Sequence, residues 1–569
     1  MRSLFRIRLR LISAVVLLIA FLILTRLYFV QIVSGDDYSE RADRQYVRSS
    51  NVLYDRGSIF FEDKDGRLVS GATLKSGFTV AIIPKDIKDP EDLFQELSSL
   101  VDIDHDTFIA RATKAGDPYE EVANHVPETV AKNVEDWGLT GVRIYRDRWR
   151  YYPGDALAAQ TIGFVGYEGD DYSGRYGIER YYDDVLSREG QSLYVNFFAE
   201  IFANINIFKN EDAGHPGDVV TTIEPSVQLF LERQLKEITD TWNSKKTAGI
   251  IIDPKTGAIY ALGVYPSFDL NSYGKAVSSS IFSNPLVEGV YEMGSIIKPL
   301  TMAAGLDSGA VTIDTTYYDA GHITLDGYTI SNFDGRGRGT VSMQEILNQS
   351  LNTGAAFVEH QMGNDVFRDY MKKYRIGEET GIDLPGEVPG LVKNLQSSID
   401  VEYATASFGQ CIAMTPIQTV RALSVLGNGG VLITPHVAKE IRYDSGITKK
   451  ISYPDGDRVL RPETSEEITR MLVRVVDEAL ADGTVKLPQY SIAAKTGTAQ
   501  IARPDGKGYY DDRYLHSFFG YFPAFEPRFL IFFMSIEPEG VRYASQTLTT
   551  PFMDTVKFLI NYYEVPPDR

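Results

Sequence analysis

A serine and a lysine stand three residues apart in the stretch from Tyr291 to Asp307, which reads YEMGSIIKPLTMAAGLD. Ser295 and Lys298 begin an apolar run with helical spacing, and helix positions i and i+3 share one face, about 5–6 Å apart at Cβ. A serine hydroxyl is a weak nucleophile at neutral pH unless a neighbouring base takes its proton. A lysine in a dry pocket can be that base, because desolvation lowers its pKa. The pair therefore predicts a lysine-activated serine nucleophile.

Two more short motifs follow in the chain. The first is S-x-N, formed by Ser350 and Asn352 in NQSLNTGAAF. The second is K-T-G with a threonine after it, in IAAKTGTAQ, and it consists of Lys495, Thr496, Gly497 and Thr498. The order S-x-x-K, S-x-N, K-T-G is the one found in penicillin-binding proteins and serine β-lactamases.

The first and third motifs each occur a second time. Ser272 and Lys275 lie in NSYGKA, a segment without an apolar period, which predicts a loop. The other K-T-G, at residues 255–257 in IIDPKTGAIY, predicts a hairpin turn between two β-rich runs. It also precedes Ser295, which is the wrong order, so we assign neither copy to the site.

Beyond the motifs, the chain resembles a class B penicillin-binding protein from its N-terminal segment to its last helix. The matching pieces are RLYFVQIVSGDDYSERA, DRGSIF, RYYPGDALAAQTIGFVG, GIERYYDDVL, TGIDLPGE, SFGQCIAMTPIQ and KTGTAQ. The resemblance implies a monofunctional peptidoglycan D,D-transpeptidase that cross-links stem peptides, is a target of β-lactams and needs no cofactor. It also implies a polytopic glycosyltransferase partner. SFGQ and FGYFPAFEPRF resemble the division (septal) branch more than the elongation branch.

The resemblance implies roles for the first two motifs. Ser295 attacks the carbonyl between the two terminal D-alanines of a donor peptide, and Lys298 takes its proton. Ser350 relays a proton to the leaving amine. Asn352 bonds the substrate backbone and steadies Lys298.

For the third motif the resemblance implies a substrate-binding strand. Lys495 and the hydroxyls of Thr496 and Thr498 attract the donor's terminal carboxylate. Gly497 is expected to leave room for a substrate that lies against the strand. The backbone N–H groups of Ser295 and Thr498 form the expected oxyanion hole.

Two residues depart from the family pattern. Met293 stands where a proline usually precedes the glycine before the nucleophile, which removes some rigidity there. Cys411 replaces the last glycine of FGQG, and we interpret it as a small, inert and largely buried side chain.

Two other functions share this motif set. One is a β-lactamase or D,D-carboxypeptidase, in which water attacks the acyl-enzyme, and the other is an idle scaffold or β-lactam sensor. The intact motifs argue against an idle site. Hydrolysis needs a base, usually a carboxylate, to activate water. The motifs contain no acid, and Glu387 in TGIDLPGE is expected to be a solvated turn residue.

Composition limits the other possibilities. The chain has 569 residues, of which 43% are hydrophobic and 24% charged, as in globular proteins of two or three domains. A net charge of −20 argues against a nucleic-acid partner, because phosphate binding needs basic patches. The single cysteine allows no internal disulfide, and seven scattered histidines predict no structural metal.

The chain order predicts four parts: a cytoplasmic tail at 1–10, a transmembrane helix at 11–33, a β-rich pedestal or dimerisation-like domain at 34–217, and a transpeptidase domain at 218–569. Residues 1–10 carry four arginines and no acid, and a helix over 11–33 spans about 35 Å, enough for a bilayer core. The basic end is expected to stay in the cytoplasm, with the catalytic domain outside. No small-x-small cleavage site follows, so we expect an uncleaved single-pass anchor in the cell membrane.

The last part is predicted to be mixed α+β, with one antiparallel sheet flanked by helices, the penicillin-recognising fold that the resemblance implies. The predicted helices are 295–309, 342–362, 365–374, 415–427, 463–481 and 549–563, and the late strands are 490–494, 516–522 and 529–536. Six motif residues of the pedestal region are expected to be structural: Arg56, Gly57, Tyr152, Pro153, Gly177 and Glu179.

Overall fold

The computed structural model describes residues 54–188 and 216–569, apart from positions 115, 170, 455, 504, 505 and 507. These residues form two compact units, one of residues 54–55 and 74–150 and the other of residues 56–73, 151–188 and 216–569. The predicted tail and transmembrane helix, residues 1–33, lie outside the described residues. Within the described ranges, no helix is both long enough and apolar enough to cross a membrane.

Strands are numbered along the chain as β1 Ile59–Glu62, β2 Leu68–Ile82, β3 Glu120–Val126, β4 Val142–Tyr151, β5 Val165–Glu168, β6 Asp171–Gly174, β7 Gly217–Thr221, β8 Lys246–Ile252, β9 Ile259–Tyr265, β10 Thr316–Asp319, β11 His322–Leu325, β12 Tyr328–Ser331, β13 Gly339–Ser342, β14 Ala438–Tyr443, β15 Thr448–Lys450, β16 Ala493–Ala502, β17 Tyr509–Phe522 and β18 Phe529–Ile536.

Helices are numbered as α1 Pro90–Ser98, α2 His105–Ala112, α3 Glu128–Asp136, α4 Ala159–Ile162, α5 Gly177–Tyr181, α6 Asp183–Leu186, α7 Pro225–Trp242, α8 Pro285–Glu288, α9 Lys298–Ser308, α10 Met343–Asn348, α11 Asn352–Met362, α12 Asn364–Lys373, α13 Asp400–Ala406, α14 Pro416–Ser424, α15 Pro462–Arg474 and α16 Ala544–Tyr562.

The smaller unit packs helices on a small sheet. The later half of β2 pairs antiparallel with β3, and β4 also pairs with β2. Helices α1, α2 and α3 contribute Leu97, Phe108 and Val134 to a core shared with Val80 and Ile82 of β2. Asp89 and Asp104 cap α1 and α2 with their carboxylates, which explains where both helices begin.

The larger unit is built on a five-stranded antiparallel sheet in the order β16-β17-β18-β8-β9. Its side chains alternate between two cores, as the two-residue period of a strand requires. On β18, Ile531 and Phe533 face the core that holds α7 and α16. Leu530 and Phe532 face the other core, which holds α9. Because both faces are buried, the register of the strands is fixed, and the predicted antiparallel sheet flanked by helices is confirmed.

The pedestal-region motif residues pack in the larger unit. Arg56 and Glu179 form a buried ion pair with 2.7 Å between Nε and Oε2. The Tyr152 hydroxyl donates to Glu179 Oε1 at 3.2 Å. These contacts place the three residues in structural roles, as expected.

Several element bounds differ from the sequence prediction. The expected strand 490–494 begins instead at Ala493 and continues through the K-T-G motif to Ala502. The expected helix 342–362 is two helices, α10 and α11. The expected helix 463–481 ends at Arg474 and continues as a π-helical turn, Val475–Ala479. The last two breaks lie beside the same cleft, where irregular backbone often serves a site.

Candidate active site

The three motifs meet in one cleft of about 730 Å³ in the larger unit. The motif residues that line it are Ser295, Ser350, Asn352, Lys495, Thr496 and Thr498. Lys298 is 1% exposed and Gly497 is buried, so both belong to the packed wall. The duplicate motifs are elsewhere: Ser272 and Lys275 lie in a surface 3-10 turn, Leu270–Lys275, and residues 255–257 lie in the β8–β9 turn.

Ser295 lies in a 3-10 turn, Gly294–Ile297, directly before α9. The expected helix therefore begins at Lys298, three residues later than predicted. Gly294 has a φ of 63°, and a Cβ there would stand 2.9 Å from the Thr498 carbonyl oxygen. Only glycine allows this turn to pack so closely on β16.

The amine of Lys298 is directed at the second motif. Its Nζ donates to the Ser350 carbonyl at 2.6 Å and to Asn352 Oδ1 at 2.8 Å, and it lies within hydrogen-bond distance of Ser350 Oγ at 3.2 Å. The Ser295 hydroxyl makes no hydrogen bond with a described residue. The spacing of the first motif thus brings Ser295 and Lys298 to one place, but the direct bond between them is not formed.

Ser350 and Asn352 owe their positions to the break between α10 and α11. Ser350 has a φ of 54°, the left-handed conformation that costs a serine about 1–3 kcal/mol. This conformation lets both its carbonyl and its hydroxyl reach Lys298. Asn352 donates from Nδ2 to the Ser331 carbonyl at 2.9 Å, which fixes its oxygen toward the lysine.

Lys495 approaches the same serine from β16. Its Nζ donates to Ser350 Oγ at 3.0 Å and to the Thr496 carbonyl at 3.1 Å. Burial lowers the pKa of Lys495 to about 7. Burial, and then the charge of Lys495, lower the pKa of Lys298 well below its ordinary value. The Ser350 hydroxyl therefore lies between two amines that need not both be charged.

Gly497 has a packing role that the sequence did not indicate. A Cβ at this position would stand 2.4 Å from Ser517 Oγ, 2.7 Å from the Met293 carbonyl and 3.0 Å from Ile296 Cγ2. The missing side chain therefore makes room for the turn that carries Ser295. Strand β16 lies at the edge of the sheet, where one side of a strand is unpaired.

Two arginines that line the cleft belong to none of the three motifs, and the sequence pattern did not indicate them. Arg338 is held by Asp334, with 2.8 Å between Nη1 and Oδ1. Arg542 makes no ion pair with a described residue. It precedes α16, whose Ala544 N–H donates to Thr498 Oγ1 at 3.0 Å. Together with Lys495 they make the cleft suited to an anionic ligand.

No aspartate or glutamate is among the described residues that line the cleft. Glu387 is not one of them, and its carboxylate is not simply solvated as predicted. Its Oε1 accepts hydrogen bonds from the Thr380 N–H and hydroxyl at 2.7 and 2.8 Å, and its Oε2 accepts one from the Gly381 N–H at 3.0 Å. The Glu387 carboxylate therefore holds together the loop in which it lies.

Cys411 is half-buried rather than largely buried, and it has a φ of 59°. That left-handed conformation explains why glycine suits the position. Its sulfur lies 3.8 Å from the Tyr509 hydroxyl.

Comparisons with known proteins agree with this geometry. Residues 247–556 match the model of the penicillin-binding protein transpeptidase domain, and residues 53–201 match the penicillin-binding protein dimerisation domain. Stage V sporulation protein D of Bacillus subtilis is 30% identical over 549 residues, which cover 95% of this chain and 83% of that protein. Peptidoglycan D,D-transpeptidase MrdA of Acinetobacter baumannii is 29% identical, covering 90% of this chain and 82% of its own length.

A solved structure shows the same fold. Penicillin-binding protein 2X from Streptococcus thermophilus superposes with a TM-score of 0.72 at 20% identity, covering 90% of this chain and 81% of its own.

Proposed function

This chain belongs to the class B penicillin-binding proteins, the peptidoglycan D,D-transpeptidases that β-lactams target, and we propose that its reaction proceeds through an acyl-enzyme on Ser295. Ser295 Oγ attacks the carbonyl between the two terminal D-alanines of a donor stem peptide. Its proton passes to Lys298, and the backbone N–H groups of Ser295 and Thr498 stabilise the oxyanion. The C–N bond then breaks, and the departing D-alanine amine takes a proton through Ser350.

The second half-reaction reverses these proton transfers. The amine of an acceptor stem peptide attacks the ester carbon and gives a proton to Lys298. The Ser295 Oγ leaves, regains its proton and is ready for another donor, and the new amide is the cross-link. Lys495, Thr496 and Thr498 hold the terminal carboxylate of the donor in the cationic cleft.

The observation that carries this mechanism is the set of contacts around Lys298 Nζ. A neutral amine has two N–H donors and one lone pair. The Ser350 carbonyl and Asn352 Oδ1, at 2.6 and 2.8 Å, accept the two donors. The lone pair then faces a hydroxyl, that of Ser350 at 3.2 Å, and no described carboxylate pairs with the amine to keep it charged. These contacts support a neutral lysine that acts as a base.

Stable acylation separates the transpeptidase from a β-lactamase. The described residues that line the cleft include no aspartate or glutamate that could activate water. The penicilloyl ester should therefore last many minutes. We expect stoichiometric labelling of the purified full-length protein and no steady-state nitrocefin turnover. The Ser295→Ala variant serves as the blank for contaminating hydrolase. Turnover above about 1 s⁻¹ that is absent from the blank would favour the β-lactamase.

The charge of Lys495 should appear in the pH profile. Its pKa of about 7 means that the free enzyme carries this charge below pH 7 and loses it above. We therefore expect the second-order rate constant for acylation to fall up to about tenfold per pH unit above 7, as attraction for the carboxylate is lost. Stopped-flow acylation by benzylpenicillin measures it. In Lys495→Arg the guanidinium stays charged, so the decrease of the acylation rate constant above pH 7 should disappear. If the decrease is unchanged in this variant, Lys495 is not its cause.

We also propose that residues 11–33 anchor the protein in the cell membrane, with residues 1–10 in the cytoplasm and the catalytic domain outside. The support is the basic segment followed by an apolar run, without a cleavage site. N-terminal sequencing of the mature protein should begin at residue 1 or 2. A start near residue 35 would show a cleaved signal peptide.

A polytopic glycosyltransferase that makes the glycan strands is the proposed partner, on the likeness of this chain to class B penicillin-binding proteins. The proposed setting is cell division, on the SFGQ and FGYFPAFEPRF segments. Cells that grow into filaments when the protein is depleted would agree with a septal role. Cells that become round would instead assign the protein to elongation.

A further inference from the structure

The segment that carries the nucleophile is tied to its surroundings by a glutamate that no motif includes. Glu292 lies three residues before Ser295. Its Oε1 accepts a hydrogen bond from the Cys411 N–H at 3.0 Å and another from the Tyr509 hydroxyl at 3.0 Å. One oxygen atom thus joins the nucleophile's segment to the loop after α13 and to the first residue of β17.

Backbone contacts reach the same loop on both sides of Glu292. The Tyr291 N–H donates to the Met414 carbonyl at 2.9 Å, and the Gly294 N–H donates to the Gly409 carbonyl at 3.1 Å. The Glu292 side chain adds a third contact to this loop, through the Cys411 N–H. Its Oε2 is buried and has no partner among the described residues.

The turn itself cannot hold Ser295 as firmly as a helix would. A 3-10 turn has poorer hydrogen-bond geometry than an α-helix, and it supplies both the attacking Oγ and one expected oxyanion donor, the Ser295 N–H. A displacement of about 1 Å at a reacting group can cost about 100-fold in rate.

We propose that Glu292 is a positioning residue for acylation, which fixes the turn of Ser295 by accepting hydrogen bonds from Cys411 and Tyr509 at once. The proposal rests on the acyl-enzyme at Ser295. It requires an acceptor oxygen rather than a charge, because both donors meet the same atom. Glutamine can present its amide oxygen to the same two donors, whereas alanine can present nothing.

The test is the dependence of the acylation rate on benzylpenicillin concentration, which separates non-covalent affinity from the limiting rate constant. For Glu292→Ala in the full-length protein, we expect the limiting rate constant to fall about 100-fold, with the affinity within threefold of wild type. Glu292→Gln should stay within about fivefold of wild type in both. A general structural defect would lower affinity and limiting rate together and would not be rescued by glutamine.

A double-mutant cycle with Tyr509→Phe tests the shared hydrogen bond. The phenylalanine variant should slow acylation by about threefold to tenfold, and in the Glu292→Ala background it should add nothing. Additive losses, a Glu292→Ala rate within threefold of wild type, or a glutamine variant as slow as the alanine variant would each overturn the proposal. If mass spectrometry finds no adduct on Ser295 of the wild-type protein, the proposed function fails instead.

Discussion

Replacing Ser295 with alanine is expected to abolish covalent labelling by penicillin while the fold survives. The variant lacks the Oγ that we propose as the nucleophile, and loss of a nucleophile costs a serine enzyme about 10⁶-fold in rate. The stability cost should be small, because the Ser295 hydroxyl makes no hydrogen bond with a described residue. Fluorescent penicillin labelling and the melting temperature of the full-length protein measure the two effects.

The chain provides a matched control for this experiment. Ser272 has the same spacing to a lysine, Lys275, but lies in a surface turn away from the cleft. The Ser272→Ala variant should label as the wild type does. An adduct located on Ser272 or Ser350 by mass spectrometry of the acylated wild-type protein would contradict the assignment of Ser295.

Removal of the amine of Lys298 is expected to slow acylation by about 10²–10⁴-fold, the usual contribution of a general base. Lys298→Met keeps most of the buried side-chain volume, so the acylation rate should fall while the packing around the cleft is preserved. Lys298→Arg should lose as much, because a guanidinium stays protonated and cannot take the serine proton. Stopped-flow acylation by benzylpenicillin gives the rates.

The control is Lys275→Ala, which removes the lysine of the duplicate motif and should acylate at the wild-type rate. Melting temperatures of the Lys298 variants are expected within a few degrees of wild type, because burial of an amine is itself unfavourable. Acylation within tenfold of wild type in both Lys298 variants would remove this lysine from the mechanism.

Local pattern was enough to predict much of this protein. The order of the three motifs predicted a set of residues that meet in one cleft. The one-turn spacing of Ser295 and Lys298 brought them to one place, although Ser295 lies in a 3-10 turn before the helix. The strand predicted at 529–536 is β18 with the same bounds, because a continuous apolar run with turn-forming residues at its ends is a local signal. The duplicate motifs were also separated correctly, since a turn or a loop shows in the residues beside it.

Contacts across long sequence distances required the fold. Lys298 bonds Ser350 and Asn352, and Glu292 bonds Tyr509, only because α9, the α10–α11 break and β17 pack around one cleft. The packing role of Gly497 could not be predicted from the sequence for the same reason. A strand's two-residue period says that alternate side chains share a face, but what lies against that face is decided by packing. Here it is Ser517 Oγ, together with the Met293 carbonyl and Ile296 Cγ2 on either side of Ser295.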